Sequence, residues 1–316
     1  IDDITVTSGD GREYCFTDGI GMISWALAKK VASRLQKYDE QTGHMPCAYQ
    51  IRFAGFKGVV AIDPSSLSDP QSEWIKLRPS MRKFESPHRA LEILNVAEYI
   101  PGYMNRQVIM ILSGLGVCDD AFDRLQDQQL LFLASMLLDP QKAIQAIRYF
   151  LRCDFARKMS FEAPIAYASE PFFRGILVAV YKKQLSDLLT KSRIFNPQAR
   201  ILMGVIDETG TLGPDEVFIQ CTRNPRDLIV DDSWHTSGGR FVVEGTVAVA
   251  KNPCMHPGDI RVLKAVRSER LMACRWDVIV FPAVGERPIP DMCSGSDLDG
   301  DLYNVTWAAD FIPPVV

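Results

Sequence analysis

Apolar positions along this chain change their period twice. Residues 13–64 carry short apolar runs broken by glycines, which predicts strands joined by turns. "EYCFTDGIGMIS" sets Asp18-Gly19 and Gly21 between apolar flanks. In "WALAKKVASRLQKY", Leu27, Val31 and Leu35 recur at a spacing of four and predict an amphipathic helix. "AYQIRFAGFKGVVAID" is aromatic and β-branched, and reads as two strands joined at a glycine turn, with Gly55 and Gly58 bracketing Phe56-Lys57. The period then becomes helical over residues 86–193. "SPHRALEILNVAEY" offers Ser86 as an N-cap and Pro87 in the first turn. "DRLQDQQLLFLASMLL", ended by Asp139-Pro140, "QKAIQAIRYFLRCDFA" and "PFFRGILVAVYKKQLSDLLTKSR" continue the helices, and Pro197 closes the block. From residue 200 six strand-like runs follow: "ARILMGVID", "EVFIQCT", "GRFVVEGTVAVAKN", "DIRVLKAV", "WDVIVFPA" and "DLYNVTW". The expected division is a β domain over 1–85, a helical connector over 86–199 and a second β domain over 200–316.

Composition adds limits. With 47% hydrophobic and 23% charged residues among 316, the chain has the balance of a soluble globular protein with a sizeable core. No apolar run approaches the roughly 20 residues that a membrane span needs. The chain opens on polar, acidic "IDDITVTSGDGREY", without an initiator Met, and reads as a fragment of something longer. Eight cysteines are spread evenly with no CxxC pair, and with four histidines no zinc spacing forms. They read as reduced thiols of an intracellular protein, nucleus or cytoplasm left open. The net charge of -4 argues weakly against wholesale nucleic-acid binding, but "KLRPSMRKFESPHR" sets five Lys/Arg against one Glu.

The densest chemistry lies in "CSGSDLDGDLY", where Asp297, Asp299 and Asp301 fall within five positions. Like charges this close raise one another's pKa unless a cation sits between them. An EF-hand calcium loop does not fit: glycine stands fourth rather than sixth, and the twelfth residue is Ala308 rather than Glu. An aspartyl phosphatase of DLDGT type does not fit either, since Asp301 replaces the threonine and only 15 residues follow. A plain solvated turn is the remaining bland reading. A magnesium site accounts for more. Alternate residues of an extended loop point the same way, Gly300 lets the backbone turn tightly, and Mg²⁺ commonly bridges carboxylates to substrate phosphates. Three carboxylates can hold one ion and share a second that arrives with a nucleotide, as in-line phosphoryl transfer requires.

"CSGSDLDGDLY" resembles the DxDGD signature of the eukaryotic, RNA-silencing type of RNA-dependent RNA polymerase. "FTDGIGMIS", "YQIRFAGFKGVVAID", "LRPSMRKFES", "NRQVIMILSGLG" and "VAKNPCMHPGDIRVLKAV" each resemble blocks of that family, in its order, from residue 15 to 314. The resemblance implies an α+β fold: two double-psi β-barrels joined by a helical connector, related to the active-centre barrels of multisubunit RNA polymerases. It implies that Asp297, Asp299 and Asp301 are catalytic and bind metal. It also implies basic residues of the first barrel opposite them, for which Arg52, Lys57 and Lys83 match, with Lys76, Arg78 or Arg82 as substitutes. Their chemistry suits triphosphate and RNA phosphates.

In "AKNPCMHPGD", Lys251 or Asn252 is expected to touch the nucleotide sugar or the template. His256 reads either as a general acid or as a hydrogen-bonded loop histidine. Asn105-Arg106 opens the apolar "QVIMIL" either as a template contact through Arg106 or as a cap. Ser294, Gly295 and Ser296 are expected to shape the approach to the loop, and Asp18 reads as a turn-former rather than a ligand.

The expected function is the catalytic core of an RNA-directed RNA polymerase. Mg²⁺, with Mn²⁺ as an alternative, is the cofactor. Single-stranded RNA template and nucleoside triphosphates enter, and double-stranded RNA for silencing leaves, with silencing-pathway proteins as further partners. A DNA-templated or template-independent polymerase, or a non-catalytic RNA-binding fragment, fits the same residues.

Overall fold

The computed structural model describes residues 1–69, 71–150, 170–223 and 239–314. A short ribbon of β1 (Thr5–Thr7) and β2 (Glu13–Cys15) leads into a five-stranded sheet. That sheet runs β6-β3-β5-β4-β7, made of β3 (Ile20–Ile23), β4 (Ala48–Phe53), β5 (Phe56–Ile62), β6 (Ile75–Lys76) and β7 (Glu92–Val96). Between β3 and β4 lies helix α1 (Trp25–Arg34), started by Ser24, whose hydroxyl accepts from the Leu27 N–H. Its apolar face buries Ala28 and Ala32. The expected β4–β5 hairpin pairs Arg52 opposite Lys57 and Phe53 opposite Phe56.

One expectation fails here. The segment after Ser86 is not a helix: β7 pairs antiparallel with β4, Tyr49 opposite Val96 and Arg52 opposite Glu92. Ser86 instead accepts from the His88 N–H in a local turn. Pairing along the free edge of β4 outweighs a capping signal of about 1 kcal/mol.

Strand β8 (Pro101–Met104) then opens the second sheet before the helices α2 (Arg106–Gly114), α3 (Asp119–Ser135), α4 (Pro140–Phe150) and α5 (Pro171–Lys191). Residues 151–156 of the expected third helix, with Cys153, lie outside the described residues. α5 stops on Ser192 in the left-handed conformation, so the helical block ends before Pro197, which sits inside a strand.

The second half is a closed ring. β9 (Ile194–Ile206), β10 (Glu216–Thr222), β12 (Gly245–Lys251), β13 (Arg261–Ala265), β14 (Val278–Phe281) and β15 (Leu302–Thr306) join in the order β10-β13-β12-β15-β9-β14, and β14 returns to β10. β8 pairs outside β9, and β11 (Arg240–Val242) outside β10. Two pairs are parallel, β9 with β14 and β10 with β13. Strands covered on both faces read as unbroken apolar runs, and "VIVF" of β14 is buried throughout. Short helices α6 (Glu269–Met272) and α7 (Ile289–Met292) fill the connections. Among the described residues no helix is long and apolar enough to cross a membrane.

The two halves share one core, which runs from Phe16, Ile20 and Tyr49 to Trp276, Phe281 and Tyr303. Trp276 is its rivet. The indole N–H donates to the Met45 carbonyl at 2.6 Å, and the Cys47 thiol donates to the Trp276 carbonyl at 2.9 Å. Beside it, Arg78 of the first half forks onto Glu208 of the second at 3.0 and 3.1 Å. Trp276→Ala is therefore expected to cost about 3–5 kcal/mol. Urea denaturation should show a single transition at lower denaturant; an unchanged midpoint would refute the shared core.

Candidate active site

The aspartate loop sits between α7 and β15, at the seam of the two halves. Its side chains alternate. Leu298 points inward and is buried, while Asp297, Asp299 and Asp301 turn the other way, half-buried. One carboxylate oxygen from each lies within 4.8 Å of the others. Such oxygens are the hard donors that divalent cations of the magnesium kind take. The three residues thus form a set able to hold a divalent metal.

Both halves hold the loop in place. From the second, the Tyr303 hydroxyl donates to the Asp297 carbonyl at 3.1 Å and stands 2.7 Å from the Ser296 hydroxyl. The Gly204 N–H donates to the Asp301 carbonyl at 3.2 Å. From the first, the Asp18 carbonyl accepts the Leu298 N–H at 3.0 Å, and the Gln50 amide donates to the Asp299 carbonyl at 3.0 Å. Two glycines permit this closeness. Gly300, at φ +128°, lies on the Gln50 amide; a Cβ there would fall 2.0 Å from Nε2. Gly19, at φ +82°, leaves room for Asp299; a Cβ there would fall 2.6 Å from the Asp299 Cβ.

Two lysines, one from each half, offset the charge. Lys57 Nζ lies 2.6 Å from Asp299 Oδ2, and Lys251 Nζ lies 2.8 Å from Asp301 Oδ2. The bond to Asp299 raises the Lys57 pKa above its ordinary value. Burial pushes the Asp297 carboxyl up to about 6; the Asp299 N–H pulls it back, and the charges of Asp299 and Asp301 add to the rise. Burial also raises Asp18, with Lys83 pulling it down and Asp3 and Asp299 adding to the rise.

The other expected residues scatter around this centre. Arg52 is exposed and faces Lys57 across the hairpin. Lys83 is exposed beside Gly55, its backbone N–H bonded to the Gly55 carbonyl, and its amine donates to the Ser80 carbonyl at 3.3 Å. Gly58 lies in β5 against the Gly19 carbonyl. Asn252 accepts from the Asn105 side chain at 2.9 Å, and Asn105 caps α2 by accepting from Val108. Arg106 does not reach the carboxylates: it donates to the Thr190 carbonyl at the end of α5, where a helix dipole welcomes a cation. His256 accepts from the Gly258 N–H and caps a short turn. Of the substitutes, Arg78 is buried on Glu208, Lys76 is paired with Asp63 and Arg82 with Glu85.

The pattern reading missed Gln50, Tyr303 and the packing role of Gly19. "TDGIG" displayed the glycine, but only as a turn; nothing local marked Gln50, whose partner is 249 residues away. Gly19→Ala is expected to displace Asp299 and weaken Mn²⁺ binding roughly 10- to 100-fold in calorimetric titration. Gly9→Ala, with nothing within 4 Å, serves as the control and should bind as the unaltered protein does. Equal affinities in all three would show that the loop does not depend on the first half.

Comparison with known proteins identifies the family. A family model described as RNA dependent RNA polymerase matches residues 1–316. The chain is similar to the probable RNA-dependent RNA polymerase 2 of Oryza sativa subsp. japonica, 40% identical over 321 residues, covering 100% of this chain and 27% of that protein. It is similar to RNA-dependent RNA polymerase 6 of Arabidopsis thaliana, 42% identical over 327 residues, covering 99% of this chain and 26% of that protein. The solved structure of RNA dependent RNA polymerase QDE-1 from Thielavia terrestris matches with a TM-score of 0.77 at 25% identity, over 100% of this chain and 36% of its own. The fold is accordingly α+β, two double-psi β-barrels joined by a helical connector. The chain spans about a quarter of the length of these curated relatives, 27% and 26%. On the full-length family match and these relatives, the chain belongs to the RNA-dependent RNA polymerase family.

Proposed function

We propose that this chain is the catalytic core of a silencing-type RNA-dependent RNA polymerase. It joins nucleoside triphosphates to an RNA 3′-hydroxyl on a single-stranded RNA template and yields double-stranded RNA with release of pyrophosphate. The observation that carries the reading is the convergence of Asp297, Asp299 and Asp301, with Lys57 and Lys251 drawn in from opposite halves.

Asp297, Asp299 and Asp301 would hold Mg²⁺, with Mn²⁺ able to replace it. When bound, the ion supplies Lewis-acid activation of the hydroxyl and charge compensation for the leaving phosphates. The protein's own part is positioning and electrostatics. Lys57 and Lys251 keep the carboxylates together and offer N–H donors to phosphate oxygens arriving at the same place. Arg52 and Lys83 extend that positive rim toward the RNA backbone, and Asn252 lies at the end of β12 next to Lys251 for the sugar or template. Arg106 supports this edge through the connector. We retain 1–85, 86–199 and 200–316 as the working domains, with β7 packed on the first barrel and β8 on the second. An intracellular setting with silencing-pathway partners follows from the same reading.

The test is radiolabelled nucleotide incorporation on matched RNA and DNA templates. Incorporation requires divalent metal and RNA template, and Asp301→Asn lowers it by roughly 10³-fold or more, the several kcal/mol that a metal contributes to charge stabilisation. Lys57→Ala raises the KM for nucleotide, and Lys57→Arg recovers part of the loss. Retained activity in Asp301→Asn, or preference for DNA, would overturn the proposal.

A further inference from the structure

Against the hairpin that carries Lys57 stands a side chain that the proposed chemistry leaves unused. Phe84 is 65% exposed. Single exposed apolar residues are ordinary, so exposure alone assigns nothing. Its placement does more. The Lys83 and Phe84 N–H groups both donate to the Gly55 carbonyl, at 3.0 and 3.4 Å, and Phe56 bridges to Arg82. The segment lies so tightly on the β4–β5 hairpin that a Cβ on Gly55 would fall 1.9 Å from the Phe84 carbonyl oxygen and 3.5 Å from its ring. Gly55 has φ +86°, so the contact needs glycine twice over. The Phe84 backbone is therefore fixed to the hairpin that carries Lys57, whose amine touches Asp299.

Its neighbours include two exposed cations, with Glu85 and Glu92 as the nearby acids. Lys83 precedes it, exposed, and Arg52 lies exposed across the hairpin from Lys57. Arg82 is held by Glu85 in a surface pair. An apolar protein partner would have to desolvate these cations without compensation, whereas a phosphate chain takes them up. An aromatic face set among cations is how proteins grip single-stranded nucleic acid: bases stack on the ring, and phosphates meet the lysines and arginines.

We propose that Phe84 is a base-stacking residue beside the β4–β5 hairpin, receiving an unpaired base of single-stranded RNA while Lys83 and Arg52 meet the neighbouring phosphates. The identity of the nucleic acid rests on the polymerase reading. Because every base has a π-face, the contact is indifferent to sequence, as a template entrance needs.

The test is fluorescence anisotropy of the 316-residue chain on a labelled, unstructured RNA at fixed salt, without nucleotides. Phe84→Ala is expected to weaken binding roughly 5- to 100-fold. Phe84→Trp restores it, and Phe84→Leu, apolar but without a ring, does not. On the same RNA carrying abasic sites, the unaltered protein and Phe84→Ala bind equally. Equal affinity of the two for intact RNA, a defect of the same size on abasic RNA, or no binding by the unaltered protein overturns the assignment. The two proposals fail separately. Metal-dependent incorporation together with Phe84-independent binding removes only the stacking residue. Phe84-dependent binding without incorporation removes the polymerase reading and leaves an RNA-binding site.

Discussion

Three carboxylates held within 4.8 Å repel one another, by at least about 3.5 kcal/mol for each fully ionised pair at an effective dielectric of 20. The rest of the molecule is arranged around keeping them there. Burial of Leu298 ties the loop down between the acids, and Tyr303 and Ser296 fix its entry from beneath. Lys57 and Lys251 then offset two of the three charges from opposite sides. Asp297, with no lysine of its own among the described residues, is the acid whose pKa climbs to about 6.

Neither barrel makes this site alone. The second supplies the carboxylates; the first supplies the Asp18 carbonyl, the Gln50 amide, the Lys57 amine and the space beside Gly19. That division explains why so much buried bonding crosses the seam. Trp276 on Met45 and Cys47, and Arg78 on Glu208, hold the halves in one register. A slip of an ångström at the seam would separate Lys57 from Asp299, and positioning errors of that size are costly in catalysis. Arg78 illustrates the economy of the design. A cation in a basic stretch looks like a phosphate ligand, yet at 3% side-chain exposure it serves the seam.

Much of this was legible in the residues. The apolar runs after residue 200 are the ring strands, because strands buried on both faces cannot help being apolar, and "DLDGD" announced its own clustering through alternation. What the pattern could not carry was pairing over long separations. "SPHRALEILNVAEY" has a plausible helix start, but the open edge of β4 claimed it as a strand. Gln50 shares its strand with Arg52 and carries no local mark of its role, and only the fold brings it to Asp299. Lys251 was visible as a cation at a strand end; its partner, Asp301, becomes evident when β12 and β15 pair, Lys251 opposite Tyr303.

The central claim is that the carboxylate cluster exists to bind a divalent cation between the two barrels. Anomalous diffraction at the manganese edge, from crystals soaked in Mn²⁺ and a non-hydrolysable nucleoside triphosphate, tests it most directly. A peak is expected at roughly 2.2 Å from carboxylate oxygens of Asp297, Asp299 and Asp301, with the triphosphate beside Lys57. A cluster without anomalous density, with Mn²⁺ and nucleotide bound elsewhere, would contradict it.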